Sequence, residues 1–214
     1  MTLQFGVPVP HERPPGFQPA LILHKMLTVK AVDPTDVSHL EFGAIDVGVP
    51  TGMTIEKLAS EVAGADKPPN TMIGPTPFDI EVKRPAWVLL QLDPRVNWSF
   101  LAGSSGISTD RGYTHNAPLQ QEQQQQLASP VSARQFGDNF GVTFVPKVGN
   151  PTLPGPGAVC PGGCRVLYFG VARRHPPTMQ QKFNIFVEFI QGTHRLPTIF
   201  DPDVGNNGGS VYPP

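Results

Sequence analysis

Apolar residues in this chain fall into short runs bounded by Pro, Gly and Asn, and the runs are rich in Val, Ile, Phe and Tyr, which is the signature of β-strands. The densest signal spans 160–209, where residues 165–171 and 182–190 form two long strand-like runs and 196–200 a third. Near the start, residues 20–32 alternate. Leu21 and Leu23 oppose Ile22 and His24, then Leu27 and Val29 oppose Met26, Thr28 and Lys30, which predicts a strand with a face change near its middle. Asp33-Pro34-Thr35-Asp36 predicts a turn, with Pro34 suited to its second position, and 40–47 a shorter strand. Residues 78–92 read as one strand that bends, or two that switch sheets at Arg84-Pro85, because proline in a central strand removes a ladder hydrogen bond. Asp93-Pro94 closes that segment with a turn. Further short strands are predicted at 97–102 and 141–146, with Trp87, Trp98 and Phe100 as core or rim aromatics.

One stretch has helical rather than strand period. Ile55, Leu58, Ala59 and Val62 recur on one helical face, which predicts a helix over 55–63 that covers an end of a sheet. Thr54 is its N-cap, Glu56 suits the positive helix start, and Gly64 stands where a left-handed stop is expected.

Counting the runs gives roughly seven to nine strands with turn signals at short intervals. The predicted fold class is therefore all-β: an antiparallel two-sheet β-sandwich, immunoglobulin-like or jelly-roll, with one short helix and long Pro/Gly/Gln-rich loops. Composition agrees, since 26 Pro and 22 Gly among 214 residues far exceed the roughly 12% usual for the pair. Residues 1–19 hold five prolines and read as an extended arm without structure of its own. Residues 20–214 read as a single domain with a long loop insertion at 103–139 that contains the glutamine tract 120–126, broken only by Glu122.

With 16 basic and 17 acidic side chains the net charge is −1, so no summed field attracts nucleic acid or an anionic membrane, and neither is expected as a partner. A charged fraction of 15% is low for a free monomer, for which about 25–35% is the usual design value, and this points to surface covered by other copies or another protein. No basic segment followed by an apolar run opens the chain, and no run is long enough to span a bilayer, so the expected location is cytoplasmic.

Candidate chemistry is sparse, and no cofactor motif is present. Cys160-Pro161-Gly162-Gly163-Cys164 could close a small disulfide ring or offer two thiolates to a metal; the alternative is a tight turn with two small buried thiols. The histidines His11, His24, His39, His115, His175 and His194 form no spaced pair. The segment from Asp201 to Gly208 alternates oxygen side chains as hard-cation loops do, making Asp201, Asp203 and Asn206 the metal candidates, against a strand-ending turn. It departs from the EF-hand, with Gly205 and Tyr212 where ligands belong. Gly103-Ser104-Ser105-Gly106 is neither a nucleophile elbow nor a phosphate loop, and Asn97-Trp98-Ser99 fits a glycosylation sequon. Arg173, Arg174 and His175, with Arg165, form the local basic cluster at which an anion could sit, against a solvated hairpin tip.

Lys182-Phe183-Asn184-Ile185-Phe186-Val187, followed by Ile199-Phe200-Asp201-Pro202-Asp203, resembles the closing strands of the uncharacterised bacterial immunoglobulin-like proteins of the DP-EP family. The resemblance implies a β-sandwich of unknown activity and carries no functional residue across. The expected function is a non-catalytic structural or interaction module that self-associates, with a carbohydrate- or calcium-binding sandwich as the alternative and a hydrolase behind both.

Overall fold

A computed structural model describes residues 7–8, 19, 21–33, 36–76, 80–81, 84–109, 139–149, 151, 159–171, 180–200 and 203–205. In chain order the elements are β1 (Val7–Pro8), β2 (Leu21–Asp33), β3 (Asp36–Val47), α1 (Ile55–Gly64), β4 (Met72–Thr76), β5 (Ile80–Glu81) and β6 (Ala86–Leu92). They continue with β7 (Trp98–Phe100), β8 (Ile107–Thr109), β9 (Asn139–Val145), β10 (Val166–Val171), β11 (Gln180–Gln191), β12 (His194–Phe200) and β13 (Asp203–Gly205). The chain is mostly β, with one helix among the described residues.

The strands form two sheets. One has the order β4-β3-β2-β6-β10-β9, and the other is built on β11, which pairs with β7, β8, β12 and β13. The expected all-antiparallel pairing is corrected at two seams, and in the longer of them β2 runs parallel to β6 with Leu21 beside Ala86 and Leu27 beside Leu92. Chain order makes this unavoidable to local reasoning. The β2–β3 hairpin, α1 and β4 intervene before β6 arrives, and a parallel pair needs such a crossover. A second parallel pair joins β13 to β5.

β6 is buried along its whole length because both of its faces are covered. On one face Val88, Leu90 and Leu92 join Leu167 and Phe169 of β10, packing against Trp98, Phe100, Ile107, Ile185 and Val187 of the other sheet. Trp98, Phe100 and Phe169 are wholly buried there, and each side chain of that size contributes roughly 1.5–3 kcal/mol. On the other face Trp87, Leu89, Tyr168, Val166 and Val145 receive Ile55, Leu58 and Ala59 of α1. Trp87 and Tyr168 meet edge-on, with ring centroids 5.6 Å apart.

Local expectations fare unevenly. Thr54 caps α1, its hydroxyl accepting from Lys57 N at 3.3 Å. Gly64, however, is the last helical residue and not a left-handed stop; Ala65 leaves in extended geometry and its N–H closes on Val62 O. The helix also lies on a sheet face rather than at a sheet end. From Leu21 to Val29 β2 keeps one alternation, with no face change: Leu21, Leu23, Leu27 and Val29 all turn to the inter-sheet core, and Lys25 interrupts that side by pairing with Asp46 at 2.6 Å. Pro85 separates β5 and β6, which belong to different sheets. β4 falls in a stretch that proline and glycine make look like a connector. Asp33 opposes Asp36, as the turn requires. Within the proline-rich arm, Val7 and Pro8 pair with Thr109 and Ser108 of the same chain. The glutamine tract lies outside the described residues.

Candidate functional site

The expected site residues are placed as follows. Asp201 and Asn206 lie outside the described residues, and Asp203 is described only by its backbone, paired with Lys182. Among the described residues no group of three metal-ligating side chains converges. Cys160 and Cys164 are free thiols, 2% and 1% exposed, packed into the inter-sheet core. Cys164 Sγ donates to Val166 O at 3.2 Å. Its hydrogen bond with Cys164, followed by burial, pushes the Cys160 thiol far up and keeps it protonated. The serines of the Gly103–Gly106 loop are spent locally. Ser104 Oγ donates to Leu101 O at 2.7 Å and accepts from Gly106 N, while Ser105 Oγ donates to Ile107 O. Asn97 donates to Ile190 O at 2.7 Å. Arg173, Arg174 and His175 lie outside the described residues.

Arg165 is the member of that basic cluster that the structure does place, and it borders a pocket of about 330 Å³. The pocket lies where β6 and β9 end, β10 begins and the last turn of α1 passes over them. Val62, Ala63 and Ala65 border it from the end of α1, Val145, Val166 and Leu92 border it from the sheet while being almost wholly buried, and Asp66, Gln91, Lys147 and Arg165 supply its polar groups. Its volume is at the small end of the roughly 300–1,000 Å³ typical of ligand sites.

Each polar group is held differently. Arg165 is anchored by Nε donating to Trp98 O at 3.1 Å and Nη1 to Pro94 O at 3.4 Å, which leaves Nη2 without a hydrogen bond among the described residues. Lys147 and Asp66 form an exposed ion pair at the rim. The hydrogen bond from Lys147, then its charge, with Arg165 adding, holds the Asp66 carboxyl below the usual range.

Gln91 is 2% exposed, in a strand otherwise apolar. His24 Nε2 donates to its Oε1 at 3.0 Å, bridging β2 and β6. Gln91 Nε2 has no hydrogen bond to any described residue. His24 is itself buried, with Nδ1 unpartnered, and burial pushes its pKa down to about 4 despite the opposing hydrogen bond, so it is neutral at pH 7. The sequence signal for both was a lone polar residue inside an apolar run; a buried polar side chain is the informative exception to hydrophobic patterning.

The arrangement offers hydrogen-bond donors in a largely polar recess, one of them, Gln91 Nε2, without a partner among the described residues. Comparison with known proteins finds neither a matching family nor a matching curated sequence.

Proposed function

We propose that this protein is a non-catalytic binding module whose pocket takes a small organic molecule between α1 and the six-stranded sheet. The supporting observation is Gln91: it lines the pocket from an otherwise apolar strand, its Oε1 is engaged by His24, and its Nε2 donates to no described residue, which leaves that donor available to a ligand acceptor. Two-dimensional NMR against a fragment library tests this. Hits should shift the methyl signals of Val62, Val145 and Val166, and should be lost in Ala63→Trp, which fills the slot. A library that moves none of these signals would sink the reading.

A second reading, self-association, is favoured by β4. That strand is one of the two edges of its sheet among the described residues, and it shows Ile73 at 73% exposure and Met72 at 44%. Light scattering should then give a dimer that Ile73→Lys dissociates; a monomeric wild type removes this reading.

The finer architecture we propose is a β-sandwich of immunoglobulin-like or jelly-roll kind, in keeping with the DP-EP resemblance. Two free buried thiols suit a cytoplasmic setting. Among the described residues no helix is long and apolar enough to cross a membrane.

A further inference from the structure

We propose that the recess takes a small amino acid as its zwitterion, the carboxylate accepting from Gln91 Nε2 and Arg165 and the ammonium donating to the Asp66 carboxylate at the end of α1. This inference rests on the recess being a ligand site, and it names what enters.

The tautomer of His24 fixes the polarity of the floor. His24 is buried, and its Nδ1 has no hydrogen-bond partner. A buried N–H without a partner is rarer and costlier than an unfilled acceptor, so the proton sits on Nε2 and is donated to Gln91 Oε1 at 3.0 Å. The amide is thereby turned, and its Nε2, not its carbonyl, is the end left for the recess. Arg165 brings a second donor in Nη2, since Nε and Nη1 are spent on Trp98 O and Pro94 O. The floor therefore presents donors and one positive charge, which match a carboxylate.

The opposite side has the complementary character. Asp66 is exposed and gives one carboxylate oxygen to Lys147, which leaves Oδ2 for a further donor. Lys147 is spent in that pair. Arg165 is close enough for its charge to help hold the Asp66 carboxyl below the usual range, yet the two form no ion pair. A cation and a carboxylate thus face each other across the recess unjoined. Asp66 also follows the C-terminal end of α1, whose last turn has no basic side chain to offset about half an elementary negative charge. That corner suits an ammonium.

Simpler ligands fit less well. A bare anion at the floor meets the Asp66 charge, and a bare cation at Asp66 meets Arg165. A phosphate dianion also finds the wrong end of a helix, because phosphate sites draw on N-termini. Val145, Val166 and Leu92 are almost wholly buried without a ligand, so the sheet offers no apolar surface for a hydrocarbon body to cover. Recognition falls to the two charged ends.

The test is an NMR and calorimetric titration of the full chain, at about pH 7 and constant ionic strength, with glycine, β-alanine, acetate, methylammonium and inorganic phosphate. One or both amino acids should bind with a Kd of about millimolar order and move the Gln91 side-chain amide pair. Acetate and methylammonium should bind about fivefold more weakly, each lacking one exposed charge contact, and phosphate more weakly still. Asp66→Asn changes an exposed side chain and should act in opposite directions. Amino-acid binding should fall about fivefold, while acetate binding rises, because the repelling carboxylate is gone and Lys147 is released. Arg165→Gln should abolish binding of both. Arg165 also ties down two backbone carbonyls, so the Asp66 variant and the wild-type panel decide the matter if Arg165→Gln fails to fold. Acetate, methylammonium or phosphate binding as tightly as the better amino acid, or Asp66→Asn leaving amino-acid binding unchanged, overturns the zwitterion assignment while leaving the recess a ligand site. Silence from this panel beside hits in the fragment screen overturns the assignment alone, and silence in both overturns both readings.

Discussion

Ser99 and Glu188 stand directly opposite each other on β7 and β11, and Ser99 Oγ donates to Glu188 Oε1 at 3.0 Å. The carboxylate is 3% exposed and its second partner is Arg195, which is more than half exposed on β12. Ser99→Ala should cost about 1–3 kcal/mol, because it strips a donor from a buried charge. Arg195→Ala should cost about as much, less than the roughly 3–5 kcal/mol of a fully buried pair since water reaches the arginine side. A double-mutant cycle in urea should show coupling between the two; strict additivity would mean that they do not share the carboxylate.

Gly106 should be the least replaceable glycine among those described. Its φ is +72°, and a Cβ there would lie 2.5 Å from Phe144 Cε1, inside the core. Gly106→Ala should destabilise by about 2–4 kcal/mol, combining left-handed strain with overpacking. Gly103→Ala, at φ +77° in open space, should lose only about 1–2 kcal/mol. Equal losses in thermal or urea unfolding would remove Phe144 from the explanation.

His24 should make the fold acid-sensitive above the range where carboxylates titrate. Its folded pKa of about 4 lies below the unfolded 6.5, so as pH falls the unfolded chain takes the proton first. Stability is unaffected above about pH 6.5, falls between there and about pH 4, and has lost roughly 3 kcal/mol from this group by the lower limit. Urea titrations of wild type and His24→Met across that window should converge by that amount. Parallel curves would show that His24 is protonated in the fold.

Cys160 and Cys164 should be silent towards N-ethylmaleimide in the native protein. Cys160 is held protonated, whereas the thiolate is the reactive form; its hydrogen bond pushes the Cys164 thiol down, so for Cys164 the protection is burial alone. Mass spectrometry should find both labelled together, at a rate that follows unfolding by urea. Rapid native labelling of either would contradict the packing of the Cys-Pro-Gly-Gly-Cys turn.

The strands whose apolar runs are strongest, 165–171 and 182–190, were legible because packing on either face rewards the same residues that favour extended backbone. The seam between β2 and β6 was not, since nothing local in Leu21–Leu27 specifies a partner so far along the chain. β4 was hidden by Gly74 and Pro75, residues tolerated at a sheet edge and depleted elsewhere. Of the pocket, the sequence exposed Arg165 as part of a basic cluster but placed it with arginines rather than with Gln91. Pocket membership depends on where four elements end, and no periodicity encodes that. Gln91 itself was visible only as a blemish in the run Ala86–Leu92.

The hydrogen bond from His24 to Gln91 is also a tie across the parallel seam, joining a strand near the start of the chain to one that pairs only after a long loop has closed. A ligand that engages the other end of the same amide would therefore pull on both halves of the sheet at once. Amides of β2 and β6 should exchange with deuterium more slowly when the pocket is filled, although β2 does not border it. Binding would be read as local cooperativity, a clasp that tightens when something is held.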